Sequence, residues 1–151
     1  MADAGRIGNL PAAEGMREVT ASMDRFREQF RQLQQEINEL FQSINGRLDS
    51  IDTKLDRIDT RLAASDANRI AALENNSVVS ETEPLVRLRS VLSNQEIARF
   101  PANVAAINAM TIAKETNALL RELGHSIDGN LSEKKRRLKL AIGVGNVMRK
   151  V

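Results

Sequence analysis

The chain of 151 residues contains no cysteine, tryptophan or tyrosine, only one histidine and only three prolines. Without cysteine it has no disulfide framework, zinc–thiolate site or cysteine nucleophile. Its aromatic residues are four phenylalanines, so it has few of the bulky side chains that line small-molecule pockets. The sequence therefore predicts no catalytic residue, no metal, no cofactor and no small-molecule substrate.

Targeting signals are also missing from the sequence. The first residues, MADAGR, lack the apolar stretch of a signal peptide. No apolar run approaches the roughly 20 residues that a membrane-spanning helix needs. We therefore expect a soluble protein of the cytoplasm.

A heptad pattern dominates the first half of the chain. From Val19 onward, apolar residues recur at alternating steps of four and three, which is the 3.5-residue repeat of a coiled coil. Two consecutive steps of four, from Leu40 to Leu48, make a stutter beside Gly46. The pattern predicts a flexible lead-in over 1–15 and one coiled-coil helix over 16–74. Its predicted oligomer seam consists of Phe26, Phe30, Leu33, Ile37, Leu40, Ile44, Leu48, Ile51, Leu55, Ile58 and Leu62.

The charges beside this seam predict how helices associate. Residues 48–54 (LDSIDTK) and 55–61 (LDRIDTR) form an internal repeat with Leu at heptad position a and Ile at d. Leu at a with Ile at d favours trimers or tetramers over dimers. Basic residues at g face acidic residues at e in a parallel assembly, whereas antiparallel self-pairing brings like charges together. The predicted inter-helix charge pairs are Arg47–Asp52, Lys54–Asp59 and Arg61–Asp66.

A helix of this length is too long for the remaining chain to cover. We therefore expect a parallel homo-oligomeric coiled coil that serves as a non-enzymatic scaffold or protein-interaction protein, with a further protein partner also open. Two alternatives are a single stable rod and a helix folded against the C-terminal half of its own chain.

Shorter elements are predicted beyond the long helix. Residues 75–84 are polar and unpatterned, which is typical of a linker, and 85–148 form a module of short helices. The spacing of Ser93 and Glu96 fits a capping box and predicts a short helix before Pro101. The predicted fold class is all-α, a long N-terminal heptad coiled-coil helix followed by a small C-terminal helical module.

Two further helices are predicted within the module. Pro101 suits the first turn of a helix that Gly124 ends. The last helix begins with Asn130 or Ser132 as its cap and ends near Gly143. His125 follows Gly124 directly and is predicted to cap a helix end rather than to act as a base, because no second catalytic group is placed near it.

The C-terminal end is basic. Residues 124–151 hold seven Lys and Arg against two Asp and Glu, while the whole chain has a net charge of only +2. A possible anion-binding cluster consists of Lys134, Lys135, Arg136, Arg137 and Lys139. It supports an alternative function, in which an oligomer binds nucleic acid or an anionic membrane surface.

Four short stretches carry a resemblance to known proteins: EPLVRL at 83–88, IARFP at 97–101, LLRELG at 119–124 and EKKRRL at 133–138. Together they resemble small uncharacterised coiled-coil proteins of filamentous fungi over residues 83–142. The segment 119–138 is also similar to a SAP module, a helix–extended–helix DNA binder. That similarity implies DNA binding by the basic second helix.

Overall fold

A computed structural model describes residues 10–145, and within this range the fold is all-α with four helices. They are α1 (Leu10–Asn75), α2 (Val104–Ala109), α3 (Ala113–Glu122) and α4 (Leu131–Ile142). The chain divides into two compact units, and the boundary lies within α1 at Ile51 and Asp52.

Helix α1 begins at Leu10, six residues before the predicted start at 16. Pro11 falls in the first turn, where its missing N–H has no helical partner to lose and its fixed φ suits the helix. Within the first unit every described side chain from Pro11 to Ile51 is exposed. This stretch is supported only by local contacts, such as the stacked rings of Phe26 and Phe30, whose centroids are 6.4 Å apart.

The second unit contains the end of α1 and the C-terminal module up to residue 145, while the predicted last residues of the module, 146–148, lie outside the described residues. The module core includes Leu88, Ile107, Leu120, Leu138 and Ile142, each at most 2% exposed. Helices α2 and α3 both pack against α4. Ala71 of α1 belongs to this core, and Ala64, one heptad earlier on the same helix, is also buried.

Two asparagines of α1 hold the segment after the helix in an extended conformation. The side chain of Asn75 exchanges two hydrogen bonds with the backbone of Val86 at 2.7 and 3.1 Å. Asn68 does the same with Arg89 at 2.6 and 2.7 Å. Seven residues of helix rise about 10.5 Å, and three residues of extended chain span about 10 Å. The distance between the two side-chain amides along α1 therefore matches the distance between the backbone groups of Val86 and Arg89.

The prediction of a short helix from the spacing of Ser93 and Glu96 was wrong. Arg89 and Glu96 form an isolated antiparallel bridge, and the chain between them turns through Asn94, which has φ +57°. Ser93 accepts a hydrogen bond from the N–H of Gln95, only two residues on. The serine thus shapes a turn, in which its hydroxyl competes with helix formation.

The single helix expected from Pro101 to Gly124 is in fact two helices. Asn103, not Pro101, begins α2, since its side chain accepts a hydrogen bond from the N–H of Ala106. The chain becomes extended at Met110 (ψ 118°) and Ile112 (ψ 122°) before α3 starts. Lys135 of α4 donates a hydrogen bond to the Asn108 carbonyl at 2.7 Å, which satisfies an acceptor at the end of α2.

The predicted ends of the last two helices are confirmed. Gly124 (φ +73°) follows α3, where the N–H of His125 donates to the Leu120 carbonyl. Asn130 forms a capping box with Glu133 at the start of α4. Gly143 (φ +97°) ends α4, and a Cβ at this position would overlap the carbonyl oxygen of Ala72. Glycine is needed there both for its φ and for the close approach of α4 to α1.

Residues 75–84 were expected to be a linker. Asn75 belongs to α1, and 76–84 contain turns that contact the module. Val78 is buried, and the Glu81 carbonyl accepts a hydrogen bond from the N–H of Ala105 at 2.9 Å. The Glu81 carboxylate also accepts from the amide of Asn108 at 3.1 Å.

Candidate functional site: an exposed heptad stripe

The eleven predicted seam residues all lie on α1 and are between 42% and 67% exposed. In a folded chain, large apolar side chains of this kind are normally buried, and a contiguous exposed set marks an interaction site. We refer to these eleven residues as the heptad stripe. It is the candidate functional site of this protein.

The C-terminal module does not cover the part of the heptad stripe that belongs to its own unit. At about 100° per residue, Ala64 and Ala71 lie roughly 200° and 180° around the helix from Leu62. Those two alanines are buried against the module, whereas Leu62 and Ile58 are both 58% exposed. Within the second unit the module therefore packs on the back of α1 and leaves Ile58 and Leu62 of the stripe open.

Beyond Leu62, two more large apolar residues remain uncovered near the end of α1. Leu73 lies within about 20° of Leu62 around the helix, and Ile70 within about 80°. They are 69% and 63% exposed. The open apolar surface thus continues almost to the C-terminal end of the helix.

The six residues of the predicted inter-helix charge pairs are exposed on α1. Two intrahelical ion pairs are recorded between residues 10 and 145, Asp24–Arg27 and Glu28–Arg31, and neither uses any of these six. Arg61 lies beside Gly124 of the module. Its Nη2 is 3.6 Å from the position that a Cβ on Gly124 would occupy. Its cation therefore lies near the C-terminal end of α3, where the helix dipole favours positive charge.

The basic cluster of α4 is used in part by the module itself. Arg137 donates hydrogen bonds to the carbonyls of Ser126 and Asp128 at 2.8 and 2.9 Å. Lys135 binds the end of α2, as described above. Lys134 and Lys139 are half-buried and Arg136 is exposed. Two of the five cations thus support the fold of the module.

A groove of about 770 Å³ lies between the 90–99 segment and α3, and the sequence analysis did not predict it. Ile97, Met110, Ile112 and Leu119 contribute apolar surface to it. It exists because the chain breaks between α2 and α3. The β-branched residues Thr111 and Ile112, which are weaker helix formers, are the only sequence signal for that break.

Among the described residues, no cluster of three or more His, Asp or Glu is placed to hold a metal ion. No helix in the same range is long and apolar enough to cross a membrane. No protein-family model, curated protein or solved structure matches the chain. The resemblances to fungal coiled-coil proteins and to SAP modules therefore stay predictions.

Proposed function

We propose that this protein is a non-enzymatic scaffold that assembles with copies of itself into a parallel coiled coil through the heptad stripe. The observation that carries the proposal is the exposure of a regular apolar stripe on α1 while the module packs on the opposite face. In proteins most of the stability of a helix comes from packing of its apolar face rather than from intrinsic propensity, so the exposed stripe favours a partner helix.

The partner that fits best is a second copy of the same chain. Burying the exposed half of a Leu, Ile or Phe side chain contributes about 1 kcal/mol, so the eleven layers supply the affinity. The flanking g and e charges contribute only a few tenths of a kcal/mol per exposed pair. Their signs nevertheless favour the parallel arrangement, and Leu at a with Ile at d favours three or four strands.

The proposed assembly also explains the position of the module. Because Ala64 and Ala71 are buried on the back of α1, the module leaves Leu55, Ile58 and Leu62 free to contact a partner helix. A module in this position is free to contact a further protein. A scaffold that gathers several such modules binds through avidity, without high affinity at each site.

The alternative binding of nucleic acid or anionic membrane has less support. Lys135 and Arg137 already bond backbone carbonyls of the module. The remaining Lys134, Arg136 and Lys139 form a smaller set of cations, and no aromatic residue lies beside them in the sequence to stack on bases.

The proposal is tested by the mass of the full chain in solution. Sedimentation equilibrium at low micromolar concentration is expected to give a trimer or tetramer. Substituting both Ile51→Asp and Ile58→Asp places charges in two apolar layers and is expected to give a monomer.

The matched control carries the same charge change on the outward faces of α1. Gln42→Asp together with Ser50→Asp is expected to keep the mass of the wild-type assembly. A wild-type chain that is monomeric and fully helical at these concentrations contradicts the proposed function.

A further inference from the structure

The C-terminal end of α1 carries a hollow whose shape suits a coiled-coil partner. Three of its lining residues, Arg69, Ala72 and Leu73, lie on α1, and Asn76 directly follows the helix. Asn76 keeps the helical spacing, because its N–H donates a hydrogen bond to the Ala72 carbonyl at 3.0 Å. The four residues therefore stand at positions i, i+3, i+4 and i+7. This is the arrangement of the four residues that receive one knob in knobs-into-holes packing. The hollow continues the line of the heptad stripe, because Leu73 lies within about 20° of Leu62 around α1.

Unlike a hollow on an isolated helix, this one has a second wall. Leu140 of α4 lines it together with Gly143 and Gly145. Helix α4 reaches this position because Gly143 allows close approach to Ala72, and because the Ile142 carbonyl accepts a hydrogen bond from Asn75 at 3.1 Å. Leu140 is nevertheless 57% exposed, which leaves an apolar surface beside the open stripe.

We infer that this hollow receives Leu73 of a second copy of the chain, so that Leu140 of the module is part of the interface between copies. The inference rests on the proposed function and extends the interface past Leu62 to the end of α1. It assigns to the module a direct part in assembly.

The register of a parallel assembly identifies the side chain that occupies the hollow. In a parallel, in-register assembly each residue faces its own copy at the same height, and the centre of the hollow lies level with residues 72 and 73. Ala72 is half-buried beneath α4, whereas Leu73 is 69% exposed. Leu73 is therefore the side chain that enters the hollow, and each copy supplies both the knob and the hole. Such self-complementarity is the mark of an interface between identical chains.

The test compares two exposed leucines of the module in the full chain. Leu140→Asp is expected to weaken association about tenfold or more in sedimentation equilibrium, because it places a charge against apolar side chains of the next copy. Leu92→Asp is the matched control, since Leu92 is 71% exposed and does not line the hollow. The control is expected to associate within about twofold of the wild type, well under one such tenfold step.

A cross-link gives a second measurement that does not depend on how Leu140→Asp folds. The chain has no cysteine, so Leu73→Cys introduces one thiol per copy. We expect it to form disulfide-linked pairs under mild oxidation, and Leu92→Cys to form none.

The outcomes separate the two proposals. Wild-type association with no effect of Leu140→Asp and no cross-link at Leu73→Cys overturns this inference alone. A monomeric wild type overturns the proposed function and this inference with it.

Discussion

At Asn75, one buried amide joins three parts of the C-terminal unit. It is 1% exposed, bonds both backbone groups of Val86, and donates to the carbonyl of Ile142. Asn68, one heptad earlier, makes a similar pair of hydrogen bonds with Arg89 but is only half-buried. Burial makes the loss of such bonds more costly, because water cannot replace them.

We expect Asn75→Ala to lower the free energy of unfolding by about 2–4 kcal/mol, since it leaves the Val86 N–H and the Ile142 carbonyl without their partner. Asn68→Ala is expected to cost clearly less. Urea unfolding of both variants at one fixed protein concentration measures the difference. Equal losses for the two variants would show that burial of Asn75 has no special importance.

At the scale of elements, two glycines show that the effect of glycine on stability differs between the interior of a helix and its C-terminal end. Gly46 lies within α1, and a Cβ there would meet no atom within 4 Å. Gly143 ends α4 with φ +97° against the backbone of Ala72. The first glycine costs helix stability without any packing reason, whereas the second is required by conformation and contact.

Gly46→Ala is therefore expected to raise the free energy of unfolding by about 0.5–1 kcal/mol, because alanine loses less backbone freedom on folding. Gly143→Ala is expected to destabilise the module by more than that. A φ of +97° is unfavourable for alanine, and its Cβ would overlap the carbonyl oxygen of Ala72. Circular dichroism during thermal unfolding measures both changes. A Gly143→Ala variant as stable as wild type would contradict the close approach of α4 to α1.

At the scale of the whole molecule, the two faces of α1 have different uses. In the second unit the back face of α1 binds the chain's own module through Ala64, Ala71 and the two asparagines, and the front face leaves Ile58, Leu62 and Leu73 exposed. The repeat of charges at g and e favours a parallel arrangement in the proposed assembly. A parallel arrangement places residues near the start of α1 beside their own copies.

Met23→Cys tests this orientation, because Met23 belongs to the heptad pattern and is 52% exposed. In a parallel assembly the introduced thiols face each other, and mild oxidation is expected to yield disulfide-linked pairs. Ala21→Cys, two residues earlier on the outward face, is the control and is expected to remain unlinked. Equal linkage of the two variants would exclude a defined parallel seam.

The sequence by itself determined the long helix, its stripe and the ends of the last two helices. These features depend on periodicity, glycine conformation and capping chemistry, which act between residues close in the chain. The predicted start of α1 at 16 was wrong, since the helix begins at Leu10 and Pro11 suits its first turn.

Tertiary structure alone decided what covers each face of α1. Ala64 and Ala71 are buried on one face of α1, whereas Ile58 and Leu62 on the other face are exposed. The extended segment from Val86 to Arg89 and the break between α2 and α3 depend on partners distant in sequence, such as Asn75 and Lys135. Local patterns cannot encode those contacts, because a side chain's partner becomes defined only when the elements that carry both residues have packed.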